Sequence, residues 1–390
     1  MVDIRLRYSP VTMENPTKQS FAIIIKILKI VRWYPTENKS KLYLVQAYSL
    51  YFLILVVGNV LVAVQMLVKK GYDDIMQIIY ISETMCYSFK VLPFLGGNER
   101  IKKCIGYFDG DEFQPQDETE KKILDKSVFI CQMMSKFYIV GISCSEVFYA
   151  IPALLSDGPE LPLPIWLPFP LTSRSTIYYI IYFYLYIGVV YSSFATCLLD
   201  PLIGGLVFQA VTHLRILKHR IQNPRNLIED RSVKTLLQTD IYQKVAACVV
   251  RHNAILKFVK EYEECFSWTI FNQFLGTATV ICFLCVAIVT VPLASVDSIK
   301  YICFFFMVNW QILFYCYFGN ALYEESDTLV TAIYLSQWYE YPVEAQKLLV
   351  TLMERSQQPI ILRAEKLLDL TLNTFTAMLK KSYSFVAVLK

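Results

Sequence analysis

Long stretches without any charged residue constrain this chain more than any other feature of its sequence. A helix that crosses a lipid bilayer needs about 20 consecutive, mostly apolar residues. Such stretches are too long for β-strands, and here they show no alternation of apolar and polar residues. Four of them contain no Asp, Glu, Lys or Arg: Leu42–Val68, Ser175–Leu199, Cys265–Val296 and Tyr301–Tyr323. The chain is therefore expected to be an integral membrane protein built from helices.

Three further apolar runs carry a few charges and are weaker candidates for spans. The composition favours including them, because 55% of the 390 residues are hydrophobic and only 18% are charged, against about a quarter in soluble domains. We therefore predict an all-α protein with seven transmembrane helices. The additional spans are Ile75–Leu95 with Glu83 and Lys90, Val128–Leu155 with Lys136 and Glu146, and Leu367–Leu389 with Asp369, Lys380 and Lys381.

The basic residues predict the orientation of these helices. Of the 37 Lys and Arg, 28 fall in connections on the side of the N-terminus, five on the other side and four within spans. Because basic residues collect on the cytoplasmic side, we expect the N-terminus inside and, since seven is odd, the C-terminus outside. The first twenty residues contain no apolar signal-peptide core, so the first span should direct insertion. This orientation is the reverse of that in G-protein-coupled receptors.

The connections between the spans are unequal in length and character. The second outer loop, residues 157–170, is rich in proline and apolar residues, so we expect it to lie against the mouth of the bundle, with a plain spacer as the alternative. The inner connections Thr212–Glu264 and Glu324–Arg363 are predicted to be helices that extend beyond the membrane and pack on one another. Phe21–Trp33 alternates apolar and basic residues, as expected of a helix lying on the inner leaflet.

Cysteine and histidine give no sign of a disulfide framework, a metal site or an enzyme. The eleven cysteines lie in apolar runs or beside inner connections, and a free cysteine behaves as a small hydrophobe. His213, His219 and His252 all fall in one polar connection and are predicted to be solvated. With no catalytic constellation or nucleotide-binding loop, we expect no enzyme activity, no cofactor and no nucleic-acid partner.

A polar stripe runs along the last predicted span. Asp369, Asn373, Thr376, Lys380 and Ser384 recur every three or four residues, which places them on one face of a helix. Such a stripe is costly against lipid, so it should line a water-filled pore or, alternatively, a buried polar interface. The remaining charges of the spans, together with Asp200, are expected to pair inside the bundle or to lie near an interface.

The C-terminal region resembles the signature of the insect odorant receptors. The matching residues are Gly319-Asn320-Ala321-Leu322, Ser326, Tyr334, Trp338, Gln346, Arg355-Ser356-Gln357-Gln358-Pro359, Ala364, Phe375 and Tyr383-Ser384-Phe385-Val386. This chain ends in Val388-Leu389-Lys390, and the related gustatory receptors have a different C-terminal motif. The co-receptor that the family shares has a longer second inner connection than this chain has. The chain is thus similar to a ligand-tuned subunit. A gustatory-type channel is the alternative reading, and a G-protein-coupled receptor is a more remote one.

The resemblance implies an odorant-gated, non-selective cation channel in the plasma membrane of olfactory sensory neuron dendrites. The chain would form a heterotetramer with the co-receptor and bind a small volatile odorant. Residues 1–41 would form a cytoplasmic segment, 42–323 helices 1–6, 324–366 a cytoplasmic anchor and 367–390 the pore-lining helix 7. The predicted pore residues are Asn373, Thr376, Lys380, Ser384 and Val386. Val386 would form the constriction, although helical geometry places Ala387 closer to the polar face.

An odorant pocket should combine apolar and aromatic side chains with a few polar groups. The outer halves of helices 2, 3, 4 and 6 supply such residues, and the resemblance places the odorant there. The predicted contacts are Ile81, Met85, Phe148, Ile151, Tyr178, Ile181, Cys303 and Phe306. Tyr334, Trp338 and Pro359 are predicted to be structural residues of the anchor that support assembly.

Overall fold

The computed structural model describes residues 16–34, 41–69, 75–95, 99–155, 161–163, 165–169, 175–223, 234–292 and 296–389. Thirteen α-helices and one hairpin of two short strands make up most of this part of the chain. The first helices are α1 Pro16–Ser20, α2 Ala22–Ile30, α3 Lys41–Leu50, α4 Val57–Lys69, α5 Ile75–Val91, α6 Glu99–Ile105 and α7 Glu118–Leu155, with a π-helix at Tyr51–Val56 between α3 and α4. There follow α8 Thr176–Cys197, α9 Leu199–Gln222, α10 Lys234–Thr290, α11 Val296–Tyr334, α12 Val343–Ser356, β1 Arg363–Ala364, β2 Leu368–Asp369 and α13 Leu372–Leu389.

The helices coincide with the predicted spans. Within the described residues, five helical stretches are long and apolar enough to cross a membrane: Lys41–Val68, Glu118–Val147, Thr176–Gln222, Thr239–Thr290 and Ser298–Tyr334. They correspond to predicted helices 1, 3, 4, 5 and 6. The second and seventh spans are the shorter helices α5 and α13, with 17 and 18 residues.

Several helices continue far beyond the length that a bilayer requires. Helix α10 has 57 residues, whereas about 20 suffice to cross the hydrocarbon core. Helix α9 packs on α7, α10 and α11 and is buried along almost its whole length. Side chains of α9, α10, α11 and α12 share one apolar cluster. The prediction that Thr212–Glu264 and Glu324–Arg363 are largely helical and pack on one another is therefore confirmed for the described residues, and their placement on the inner side stays a prediction.

A β-hairpin precedes the last helix, and the sequence did not predict it. Glu365 and Lys366 form its turn with positive φ values of 50° and 58°, a conformation that is uncommon outside glycine. The last helix consequently begins at Leu372, not at Leu367. Asp369, predicted on the polar stripe of this helix, lies instead in β2, where its Oδ1 accepts a hydrogen bond from Arg363 Nε at 3.0 Å.

The hairpin is attached to its neighbours by specific contacts. The amide of Arg363 donates to Glu263 Oε1 at 2.9 Å, and the amide of Glu365 donates to Ser267 Oγ, so α10 holds β1 and the turn. Helix α11 approaches from another side through Gly319, where an added Cβ would meet the Leu370 carbonyl oxygen and lie 2.7 Å from Leu370 Cβ. The absence of a side chain at Gly319 is what permits this close approach.

The N-terminal helix packs against the protein. Phe21, Ile24, Leu28 and Trp33 are fully buried, and Tyr191 donates a hydrogen bond to the Val31 carbonyl at 3.0 Å. The apolar stripe that predicted a helix on the lipid surface is therefore covered by the bundle. The spacing of apolar residues correctly identifies the buried face of this helix. It does not show whether protein or lipid covers that face.

The second outer connection lies against the bundle, as predicted. Leu163 and Ile165 are buried in an apolar cluster with Val62 of α4 and Leu185 of α8. The amide of Trp166 donates to the Leu61 carbonyl at 3.2 Å. These contacts fix the described part of the connection over helices α4 and α8.

Candidate functional site

The last helix, α13, presents two opposite faces. Its apolar residues Phe375, Met378 and Leu379 pack into clusters shared with α10 and α11. Asn373, Thr376, Lys380 and Ser384 are all exposed on the other side, as their spacing along a helix requires. Val386, the predicted constriction, has a side chain outside the described part of the structure. The chain thus has a spanning helix with a polar face that its own bundle leaves uncovered.

A buried ion pair and a tyrosine hydroxyl join helices α5, α9 and α11. Lys90 of α5 contacts Asp200 at the start of α9, and both side chains are at most 1% exposed. Tyr315 of α11 donates its hydroxyl hydrogen to the same Asp200 oxygen. The predicted pairing of membrane charges is confirmed for these two residues. Glu83, a further buried carboxyl group on α5, lies close enough to both to interact electrostatically.

The predicted odorant contacts divide into three groups in the structure. Tyr178 is fully buried beside Tyr182, and Ile81 and Ile181 are partly buried around one apolar cluster. Met85, Cys303 and Phe306 are exposed on the surface of the single chain. The side chains of Phe148 and Ile151 lie outside the described part of the structure. The assignment of all eight to one site stays a prediction.

A cleft that the sequence did not indicate lies between the first, second and fourth spans. Twelve of the described residues line it, among them Gly58 and Asn59 of α4, Thr84 of α5, Leu163 of the outer connection and Gly188 of α8. None of the six predicted odorant contacts whose side chains the structure describes is among them.

The signature residues of the C-terminal region have identifiable structural roles. Ser326 accepts a hydrogen bond from the Ile360 amide at 2.8 Å, which holds the segment that follows Pro359 against α11. The side-chain amide of Gln346 donates to the backbone carbonyls of Tyr339 and Tyr341, both at 2.9 Å. Trp338 is partly buried against the main apolar cluster, whereas Tyr334 is 69% exposed. Only Trp338 of these two therefore packs appreciably within the single chain.

A buried polar network occupies the extension of the bundle beyond the spans. Arg220 of α9 makes two hydrogen bonds to the Glu120 carboxylate, at 2.6 and 2.7 Å. Arg251 of α10 donates to His213 Nδ1 at 2.8 Å and to two backbone carbonyls. His213 and His252 are buried, so the prediction that they are solvated is wrong. Both lie in a polar stretch of sequence, and their burial depends on the packing of α9 and α10.

Burial determines the protonation of this network. It holds the pKa of His213 well below the usual value, and the positive charges of Arg251 and then Arg220 add to the effect. Burial also lowers the pKa of Arg251 to about 9 and that of His252 to about 4, the latter with a contribution from Arg355. Since arginine can only donate, His213 Nδ1 must be unprotonated, and the histidine is neutral in the folded protein.

Acidification should therefore destabilise the protein through His213. The unfolded chain binds a proton near pH 6.5 whereas the folded one does not, so stability is lost as the pH falls below that value. Replacement by asparagine keeps an acceptor for Arg251 and removes the titration. Between pH 7.5 and 5, wild type should lose more stability than His213→Asn, with a ceiling of about 2 kcal/mol set by the roughly 1.5 pH units below the unfolded pKa at about 1.36 kcal/mol each. Thermal unfolding in lipid nanodiscs at several pH values measures this difference, in which the His252 contribution cancels. Equal pH dependence of the two proteins would contradict it.

No cluster of three or more His, Cys, Asp or Glu side chains in the described part of the chain is arranged to hold a metal ion. The fold defines a multi-span, mainly helical membrane protein whose last helix carries a polar face that its own bundle leaves uncovered. The family model described as 7tm Odorant receptor matches residues 71–383, and the chain belongs to this family of seven-span insect receptors.

Similar proteins extend the match over nearly the whole chain. Odorant receptor Or1 of Anopheles gambiae is 21% identical over 96% of this chain and 95% of its own length. Odorant receptor 67c of Drosophila melanogaster is 25% identical over 70% of this chain and 66% of its own length.

Solved structures agree with this fold. The insect olfactory receptor OR5 from Machilis hrabei superposes with a TM-score of 0.81 at 15% identity, covering 96% of this chain and 98% of that one. The same receptor in complex with eugenol superposes with a TM-score of 0.75 at 14% identity, covering 95% and 98%. At this identity the likeness establishes the fold alone.

Proposed function

We propose that this chain is the odorant-sensing subunit of a heteromeric, ligand-gated, non-selective cation channel that it forms with the family's co-receptor. The observation that carries the proposal is the polar face of α13, with Asn373, Thr376, Lys380 and Ser384 exposed on the single chain. A hydroxyl or amino group is costly against lipid, so this face requires water or another subunit. A central pore shared by several copies of the last helix satisfies the requirement.

The rest of α13 fits the same role. Its apolar face is fixed on α10 and α11, so only the polar face remains available to line a pore. We place the hydrophobic constriction at Val386, near the end of the helix that we expect at the outer surface. The N-terminal segment would lie in the cytoplasm, in accordance with the bias of basic residues, and the receptor would reside in the dendritic membrane of olfactory neurons.

We propose that the odorant binds in the outer half of the bundle, near Tyr178, Ile181 and Ile81. Tyr178 is buried beside Tyr182, and the two isoleucines border an apolar cluster under the outer connection. These side chains supply the apolar and aromatic environment that a volatile molecule requires. The eugenol complex of the Machilis hrabei receptor supports a small aromatic volatile as one class of candidate.

The direct test is electrophysiology in a heterologous cell that expresses the full-length chain with and without the co-receptor. A broad panel of volatiles should open a cation current when both chains are present, and the active odorants should change when this chain is exchanged for another tuning subunit. A current with an identical odorant profile after that exchange would contradict a role in odorant sensing.

Trp338 should contribute to assembly of the channel. Its ring is partly buried against the main apolar cluster in the segment between α11 and α12, and removing a packed aromatic side chain is expected to cost roughly 3 kcal/mol or less at a half-buried site. Trp338→Ala should therefore lower the yield of assembled complex with the co-receptor, measured by co-purification. Tyr334→Ala is the comparison variant: Tyr334 is largely exposed on the single chain, so its loss should leave the thermal stability of the isolated chain unchanged, and a lower assembly yield would report a lost subunit contact. Normal assembly of Trp338→Ala with altered odorant ranking would argue against an anchoring role.

A further inference from the structure

The cleft between the first, second and fourth spans has two unusual features in its walls. It adjoins the π-helix Tyr51–Val56, a rare geometry that often marks functional sites, and Ile54 and Leu55 of this segment line it. The Tyr184 hydroxyl donates to the Leu53 carbonyl of the same segment at 2.8 Å. A hydrogen bond from α8, the helix on the other side of the cleft, therefore binds a backbone carbonyl of the π-helix.

Missing side chains provide the space inside the cleft. Gly58 and Gly188 both line it. A Cβ added at Gly58 would have no atom within 4 Å, and one added at Gly188 would meet only Ile54 Cγ2 at 3.6 Å. The space is about 380 Å³ including the open mouth, but the interior is only about 30 Å³. That interior is room for roughly two waters, and therefore for a hydroxymethyl group whose hydrocarbon chain lies in the mouth.

Asn59 supplies a polar group with unused hydrogen-bonding capacity. Thr84 Oγ1 lies within hydrogen-bonding distance of Asn59 Oδ1, of the Tyr80 carbonyl at 2.8 Å and of the Ile81 carbonyl at 3.2 Å. A side-chain amide oxygen has two lone pairs and a hydroxyl has one hydrogen, so Thr84 occupies at most one lone pair of Asn59 Oδ1 and the other can accept a further hydrogen bond. The Asn59 amide has two hydrogens, and the contact with Ser88 Oγ at 3.4 Å uses one of them.

We propose that this cleft is a second ligand site, for a small neutral alcohol whose hydroxyl group binds Asn59. The hydroxyl would donate to Asn59 Oδ1 and accept from the amide, while the alkyl chain contacts Ile54, Leu163 and Leu185. Among the described residues that line the cleft, none is charged, which favours a neutral ligand over an ion. The cleft borders the proposed odorant pocket, because Leu163 and Leu185 in its wall belong to the apolar cluster against which Ile81 and Ile181 pack, so its occupant would modulate the odorant response.

Photolabelling of the full-length protein in lipid nanodiscs tests this site. The probe is 3-azioctanol, and labelled residues are mapped by mass spectrometry. The expected label falls on residues of α4, α5, α8 or the π-helix and is blocked by excess 1-octanol but not by n-octane, which has no hydroxyl group. Label confined to other helices, or label that n-octane blocks equally well, would overturn the proposal.

Three substitutions make the test specific. Gly58→Leu should fill the cleft and reduce the protected label at least about tenfold, which corresponds to about 1.4 kcal/mol. Gly141→Leu is the matched control, because Gly141 also has open space around its Cβ position but does not line the cleft. Asn59→Leu should abolish the preference for alcohol over alkane without orphaning its neighbours, since Thr84 still donates to Tyr80 and Ser88 still donates to the Thr84 carbonyl.

Two outcomes of these variants would refute the site: unchanged protected labelling of Gly58→Leu, or an unchanged alcohol preference of Asn59→Leu. Size-exclusion profiles confirm that each variant is folded before labelling. The measurement requires neither current nor co-receptor, so a failure of the channel proposal would leave its result interpretable.

Discussion

Replacing Lys90 with methionine is expected to remove most of the folded receptor. The substitution leaves Asp200 buried among apolar helices without its cationic partner, and Glu83 remains nearby. Breaking a buried ion pair on one side typically costs about 3–5 kcal/mol, a large share of the roughly 5–15 kcal/mol that keeps a protein folded. Surface labelling of a tagged receptor, together with thermal unfolding of purified protein, measures the loss.

The matched variants separate the charge effect from the loss of the lysine side chain. Lys90→Met combined with Asp200→Asn should recover most of the folded protein, because the asparagine is neutral and still accepts from Tyr315. Lys136→Met, the same change at an exposed lysine in another span, should have little effect. If the double variant were as unstable as Lys90→Met alone, the ion pair would not be the source of the stability.

Lys380→Gln should change ion permeation and leave the ranking of odorants unchanged. If α13 lines the pore, the substitution removes a positive charge that repels permeant cations, so cation conductance or divalent permeability should rise severalfold at low salt. The effect should weaken as ionic strength increases, because the Debye length falls from about 30 Å at 0.01 M to about 10 Å at 0.1 M. Single-channel recording at two or more salt concentrations measures this.

Lys381→Gln provides the control for this substitution. It makes the same charge change on the next residue of α13, about 100° around the helix and away from the centre of the polar face. We therefore expect a smaller change in conductance from it. Reordered odorants together with intact permeation in Lys380→Gln would identify the polar face as a packing interface.

The spans could be predicted because lipid leaves the backbone little choice but helix. Leu42–Val68 and Tyr301–Tyr323 were identified by the absence of charge alone, and Lys90 and Asp200 were expected to pair because the membrane disfavours isolated ions. The start of the last helix could not be predicted in this way. Glu365 and Lys366 adopt positive φ without glycine, so nothing in the local sequence marks the turn that places Asp369 in a strand.

The candidate sites differ in how far they can be predicted from the sequence. The polar face of α13 depends only on the spacing of Asn373, Thr376, Lys380 and Ser384 within one helix, so its placement follows from helical geometry. The cleft arises from side chains that are absent, at Gly58 and Gly188, on two helices whose contact only the tertiary structure defines. The burial of His213 is tertiary as well, because it depends on α10 covering α9.

The attachment of the hairpin to α10 makes the base of α13 a pivot. Backbone amides of Arg363 and Glu365 are bound to side chains of α10, and the 18-residue helix that follows would act as a lever if its apolar contacts with α10 and α11 shifted on gating. This lever is about 27 Å long, so a tilt of about 10° moves its far end by roughly 5 Å and leaves its base almost stationary. Asn373, close to the pivot, would keep its position during such a swing, whereas the end near Val386 would sweep the full arc.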